Sequence, residues 1–184
     1  MIAIDGLPAP GTAAYRSLVK RAPVPEEVRA QTQALLLDVR KRGDAALLDL
    51  TERLDGVRLA QTRVSDRAVR AALDKLDPAL RNALEVAAAN IEAVHAAQRF
   101  HEEPVDVVPG VRVWREWRAL RRVGIYVPGG RTVYPSSVLM LAVPARLAGC
   151  QEIVMCSPPQ QDGRVAPAIL AAAALAGVTE VHAI

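Results

Sequence analysis

Aromatic side chains are scarce: one Phe, two Trp and three Tyr make up 3% of the 184 residues. A core must therefore be filled by Ala, Leu and Val, which fill space well only where backbones come close together. Lysine is also rare, Lys20, Lys41 and Lys75 being the whole complement, and the arginines that dominate the 23 basic side chains are interleaved with 20 acids. The formal charge of +3 is too small and too dispersed for a nucleic-acid-binding stripe, so runs such as Asp38-Val-Arg-Lys-Arg-Gly-Asp44 read as solvated helix faces. Only two cysteines occur, Cys150 and Cys156, and they lack CxxC spacing; neither a disulfide framework nor a zinc knuckle is indicated, and the expectation is buried thiols in a reducing compartment. No apolar stretch approaches the ~18 residues of a membrane span, and Met1 to Asp5 carry no basic region ahead of a long apolar one. The expectation is a soluble cytoplasmic protein with no membrane and no nucleic-acid partner.

What is present divides into two textures. Residues 1–121 form a helical N-terminal region with a short extended segment at its end. Pro25, Glu26 and Glu27 make a first helical turn, Val28, Leu35, Leu36 and Val39 recur at helical spacing, and Gly43 is placed to end that helix in the left-handed conformation. A second helix runs from Asp44 to Leu54. Ser65 is placed to cap a third, with Val69, Leu73 and Leu76 on its apolar stripe, and Asp77-Pro78 starts the longest, an Ala-rich helix to about Arg99. After Pro104 the valines and Trp114 and Trp117 alternate with charged residues, as in half-exposed extended chain or a hairpin around Pro109-Gly110.

Residues 122–184 change character. Val123 to Val127 is an apolar run without polar alternation, the pattern of a strand buried on both faces, and it stops at Pro128-Gly129-Gly130. Ser136 or Ser137 can cap the helix that follows, Pro144 predicts a kink in it, and Gly149 marks its end. Strand, loop and helix then recur through Glu152–Cys156, Ser157–Gly163 and Ala166–Ala176, and a third strand covers Thr179–Ile184. The fold class is α/β: a helical region followed by a partial Rossmann-like parallel sheet in the order β-α-β-α-β.

In such sheets ligands sit outside the carboxyl ends of the strands, which makes the loop after Val127 the candidate site. Gly129 and Gly130 leave room for a ligand at the backbone, and the start of the next helix offers amides and a positive dipole end to a phosphate. An ordinary glycine turn explains the same residues, since no GxGxxG is present. Tyr126 can stack on a ligand or fill the edge of the core. His95, His101 and His182 lack metal-ligand spacing, Cys156 has no recognisable base, and no Gly-x-Ser-x-Gly elbow surrounds Ser136 and Ser137. No catalytic residue and no metal ligand is identified.

The stretch Val123-Gly-Ile-Tyr-Val-Pro-Gly-Gly-Arg-Thr-Val-Tyr-Pro-Ser-Ser-Val-Leu-Met-Leu-Ala-Val-Pro-Ala-Arg-Leu-Ala-Gly-Cys150, continued by Ile153-Val-Met-Cys-Ser-Pro-Pro159, strongly resembles the histidinol dehydrogenase family. The preceding helical region, including Arg42-Gly-Asp44 and Trp114, is similar to that family's N-terminal part. The resemblance implies a zinc-dependent, homodimeric enzyme that oxidises L-histidinol to L-histidine in two hydride transfers to NAD, the last step of histidine biosynthesis. It places Tyr126 on the family's NAD-contacting tyrosine and Pro128, Gly129 and Gly130 on the loop that follows. The family's next NAD motif, its zinc ligands and its Glu-His pair are expected beyond Ile184. The chain accordingly reads as a truncated N-terminal fragment, a frameshifted gene product or half of a split enzyme, inactive alone and associating with itself or with a missing C-terminal portion. The alternative is a noncatalytic nucleotide-binding or association module.

Overall fold

A computed structural model describes residues 6–21, 23–100, 102–129 and 132–184. The chain divides into two compact units, Met1–Arg42 and Gly43–Ile184. The first contains α1 (Ala13–Val19) and α2 (Glu26–Arg42), neither of which has a buried residue. Helix α2 is drawn by local signals. Glu26 and Glu27 lie in its first turn and Arg40, Lys41 and Arg42 in its last, each complementing the helix dipole, and Arg42 forks onto Asp38 one turn earlier at 2.7 and 2.6 Å.

The second unit opens with Gly43, whose φ of 59° is as anticipated but whose ψ of −133° lies outside the left-handed helical basin, in a region open essentially to glycine alone. It continues with α3 (Asp44–Asp55), β1 (Arg63–Val64), α4 (Asp66–Asp74), α5 (Pro78–Ala97), β2 (Val105–Val108), β3 (Val111–Val113), β4 (Arg122–Tyr126), α6 (Pro135–Leu147), β5 (Glu152–Ser157), α7 (Pro167–Ala176) and β6 (Glu180–Ala183). Ser65 caps α4 by accepting from the Ala68 amide, and Asp77 caps α5 by accepting from Ala79 and Leu80, as the sequence pattern requires. Strands β2 and β3 form the hairpin around Gly110, exposed along its whole length.

The main sheet has the order β1-β6-β5-β4, with β4 parallel to β5 and β5 parallel to β6. This is the expected β-α-β-α-β unit. Its core lies between one sheet face and helices α4 to α7, where α4 packs on α7, α5 on α6, and α6 on α7. Alternate residues of β5 (Ile153, Met155, Ser157) and of β6 (Val181, Ala183) point into that layer, against Leu139 and Val143 of α6 and Ile169 of α7. Each buried Val, Leu, Ile or Met side chain among them contributes about 1.5–3 kcal/mol by leaving water.

Three expectations need correction. Strand β4 is half-buried on one face only: Val123 and Ile125 turn toward the helix layer, while Gly124 and Tyr126 between them are exposed, so its apolar run reflects a glycine and an exposed tyrosine. The sheet has a fourth strand beyond the three read from the sequence: β1 pairs antiparallel with β6 through Arg63↔His182 and Val64↔Val181. Two residues are too few to show alternation in a sequence. Neither Ser136 nor Ser137 caps α6: the helix starts at Pro135, with Tyr134 as N-cap and no side-chain bond.

Candidate functional site

The site is built by the parallel ladder ending at one level. The Val127 amide donates to the Cys156 carbonyl at 2.9 Å and the Ile184 amide to the Ser157 carbonyl at 3.1 Å, so β4, β5 and β6 run out together. Tyr126 stands on this rim on the face turned away from α4 to α7, and the residue is 60% exposed. With Pro158 and Ile184 it lines a cavity of about 350 Å³ whose other wall is α3, through Leu47, Leu50, Thr51, Leu54 and Asp55. Helix α3 carried no functional signal in the sequence. Its Leu54 and Asp55 are brought to the tyrosine by tertiary folding alone.

Pro128 is exposed and Gly129 half-buried, both directly beyond the strand end; Gly130 lies outside the described residues. The missing side chain of Gly129 is used inward. A β-carbon there would stand 3.2 Å from Ser157 Oγ, 3.3 Å from the Pro158 carbonyl oxygen and 3.4 Å from Pro158 Cδ, so glycine lets the loop lie against the end of β5. Ser157 itself is 1% exposed, and its Oγ is buried with no hydrogen-bond partner among the described residues. The sequence pattern assigned Ser157 to a loop; the signal available was its place two residues after Met155 on the inward face.

Charge is arranged on the open sheet face. Arg122 bonds Glu152 at 2.6 Å and Glu180 at 3.1 Å, and Arg63 pairs with Glu180 at 3.0 Å. His182 contacts Glu180 Oε1 through Nε2 at 2.7 Å and Thr62 Oγ1 through Nδ1 at 3.0 Å. The His182 bond, and then Arg63 and Arg122, hold the Glu180 carboxyl below its ordinary range. Burial, with Glu180 nearby, pushes the Cys156 thiol up, so it stays protonated and is a poor nucleophile at neutral pH. His182 is committed to two partners, and His101 lies outside the described residues. No group of three His, Cys, Asp or Glu side chains placed to hold a metal occurs among the described residues, and no helix there is long and apolar enough to cross a membrane.

A larger, mostly apolar cavity of about 790 Å³ lies elsewhere, between α4, β1 and the loop before α7. None of Tyr126, Pro128 or Gly129 lines it.

The whole arrangement has known relatives. A family model described as histidinol dehydrogenase matches residues 19–184. The histidinol dehydrogenase of Bacteroides fragilis is 46% identical over 118 residues, 64% of this chain and 28% of that protein. That of Xanthomonas euvesicatoria is 48% identical over 158 residues, 86% of this chain and 37% of that protein. The crystal structure of histidinol dehydrogenase from Elizabethkingia anophelis superposes with a TM-score of 0.84 at 35% identity, over 95% of this chain and 40% of that one. The chain thus spans between a quarter and two fifths of the length of these relatives. It belongs to the histidinol dehydrogenase family and corresponds to an N-terminal portion of it.

Proposed function

We propose that these 184 residues form the nucleotide-side portion of an NAD-dependent histidinol dehydrogenase, and that they turn over no histidinol by themselves. The observation that carries this reading is the coincidence, at one rim, of three parallel strand ends, an exposed tyrosine and a buried serine hydroxyl without a partner among the described residues. These residues fit a dinucleotide. Tyr126 offers a ring face and a hydroxyl, Pro128, Gly129 and Gly130 would supply the backbone that supports the cofactor, and α3 bounds the cavity beside the tyrosine. Bound NAD supplies the hydride acceptor.

The chain's own titratable groups explain its proposed silence. An alcohol oxidation needs a group to take the hydroxyl proton and one to polarise the oxygen. The Cys156 thiol is raised and protonated, and His182 is tied to Glu180 and Thr62. Zinc is a different matter from NAD: no ligand set for it can be named among the described residues. L-histidinol as substrate, homodimeric assembly, a zinc requirement and a cytoplasmic location are carried by the family resemblance and form part of the same proposal.

The test is to follow NADH absorbance with NAD, zinc and L-histidinol, using the purified chain alone and then mixed with the C-terminal portion of a curated relative. No NADH is expected from the chain and a steady rate from the mixture. NADH from the chain alone, or no rate when both pieces are folded, contradicts the proposal.

A further inference from the structure

Strand β5 presents Ile153, Met155 and Ser157 to the helix layer, and the first two are what that environment demands. The third position holds a serine that is 1% exposed and whose buried hydroxyl is unbonded among the described residues. A buried hydroxyl without a partner loses its hydration and receives nothing in return, whereas alanine would fill the same place without that cost. The backbone of Ser157 is already used, its carbonyl accepting from the Ile184 amide at 3.1 Å. What remains unexplained is the Oγ alone, and its neighbour is the cofactor loop: it lies 3.2 Å from where a side chain on Gly129 would begin.

We propose that Ser157 is a positioning residue for the dinucleotide, its hydroxyl held in reserve for the loop at Pro128–Gly129 and bonded to that backbone only when NAD is seated. The inference rests on the NAD reading above and adds to it a residue that touches the loop rather than the reacting atoms. Its consequence is a separation of two effects that a packing role would join. Removing the hydroxyl costs the empty protein nothing, because no bond is lost, while the NAD-bound protein loses one.

The experiment is calorimetric titration of NAD into the wild-type chain, Ser157→Ala and Tyr126→Ala, with thermal unfolding of each in the absence of NAD. Ser157→Ala is expected to melt at the wild-type temperature or above it and to bind NAD roughly 3- to 10-fold more weakly, the worth of one net hydrogen bond. Wild-type affinity in Ser157→Ala, with Tyr126→Ala weakened, overturns the serine's role and leaves the NAD reading standing. A lowered melting temperature or failure to fold also overturns it, since the hydroxyl would then serve the empty structure. No NAD binding by the wild-type chain removes the reading and the inference together.

Discussion

Helix α2 leaves Val28, Leu35, Leu36 and Leu37 at the surface, whereas α7 buries Ile169, Leu170, Ala171, Ala172, Ala173 and Ala176. Both were visible as helices in the sequence, from end charges in α2 and from proline and glycine punctuation in α7. The difference is in what each helix face meets. Helix α7 packs on α4 and α6 over a parallel sheet, and its alanines let those neighbours approach closely. Within its own unit α2 has no buried contact and relies on pairs one turn apart, Arg42 with Asp38 and Gln31 with Glu27. Local signals draw a helix; only distant contacts make its face a core.

The comparison breaks first at the core. Ile169→Ala, at a fully buried position between helix and sheet, is expected to cost about 2–5 kcal/mol in urea unfolding, and a cost below ~1 kcal/mol would mean the α6–α7 layer is not packed as described. Gly129→Ala comes next, at about 1–3 kcal/mol, because its methyl would press on Ser157 Oγ and the Pro158 carbonyl. Adding Ser157→Ala should recover part of that loss, whereas strict additivity of the two changes would show that they do not touch.

A smaller effect tests the open sheet face. The carboxyl of Glu180 is held below its ordinary value of 4.5, so its contribution to stability is present above that pH and is lost as pH falls through the lowered folded value. Acid titration of unfolding should therefore show a steeper decline below about pH 4.5 in the wild type than in Glu180→Gln; parallel curves would dissolve the Arg63–Glu180–Arg122 network as a stabilising feature. The smallest effect is expected in α2, where Leu36→Ala should fall within about 0.5 kcal/mol of wild type. A loss as large as that of Ile169→Ala would show that the exposed leucines are covered in solution.

The parallel sheet was legible because β4 and β5 are short, mostly apolar runs closed by Pro or Ser, and the helices that follow them end at Gly149 and Gly177. Strand β1 was not, since Arg63 and Val64 acquire their meaning only from His182 and Val181, more than a hundred positions away. The one-sided burial of β4 was hidden for a related reason: Val123, Ile125 and Val127 alternate correctly, but Gly124 and Tyr126 between them look apolar while facing outward. At the site, Tyr126 and the loop after it could be named from their position at a strand end and from the family motif. Ser157 could not, because a serine before two prolines reads as loop, and its burial under Gly129 depends on the packing of two separate strand ends. The α3 wall of the tyrosine cavity, with Leu54 and Asp55, is likewise a product of tertiary structure.

The central claim is that the carboxyl ends of β4, β5 and β6 hold a dinucleotide. Amide chemical shifts of the isotopically labelled chain, followed during titration with NAD, address it most directly. The account predicts that the largest changes fall on Tyr126, Val127, Gly129 and Ser157, with α2 and the β2–β3 hairpin unmoved. Changes centred on the larger cavity beside α4, or none at saturating NAD, would contradict it.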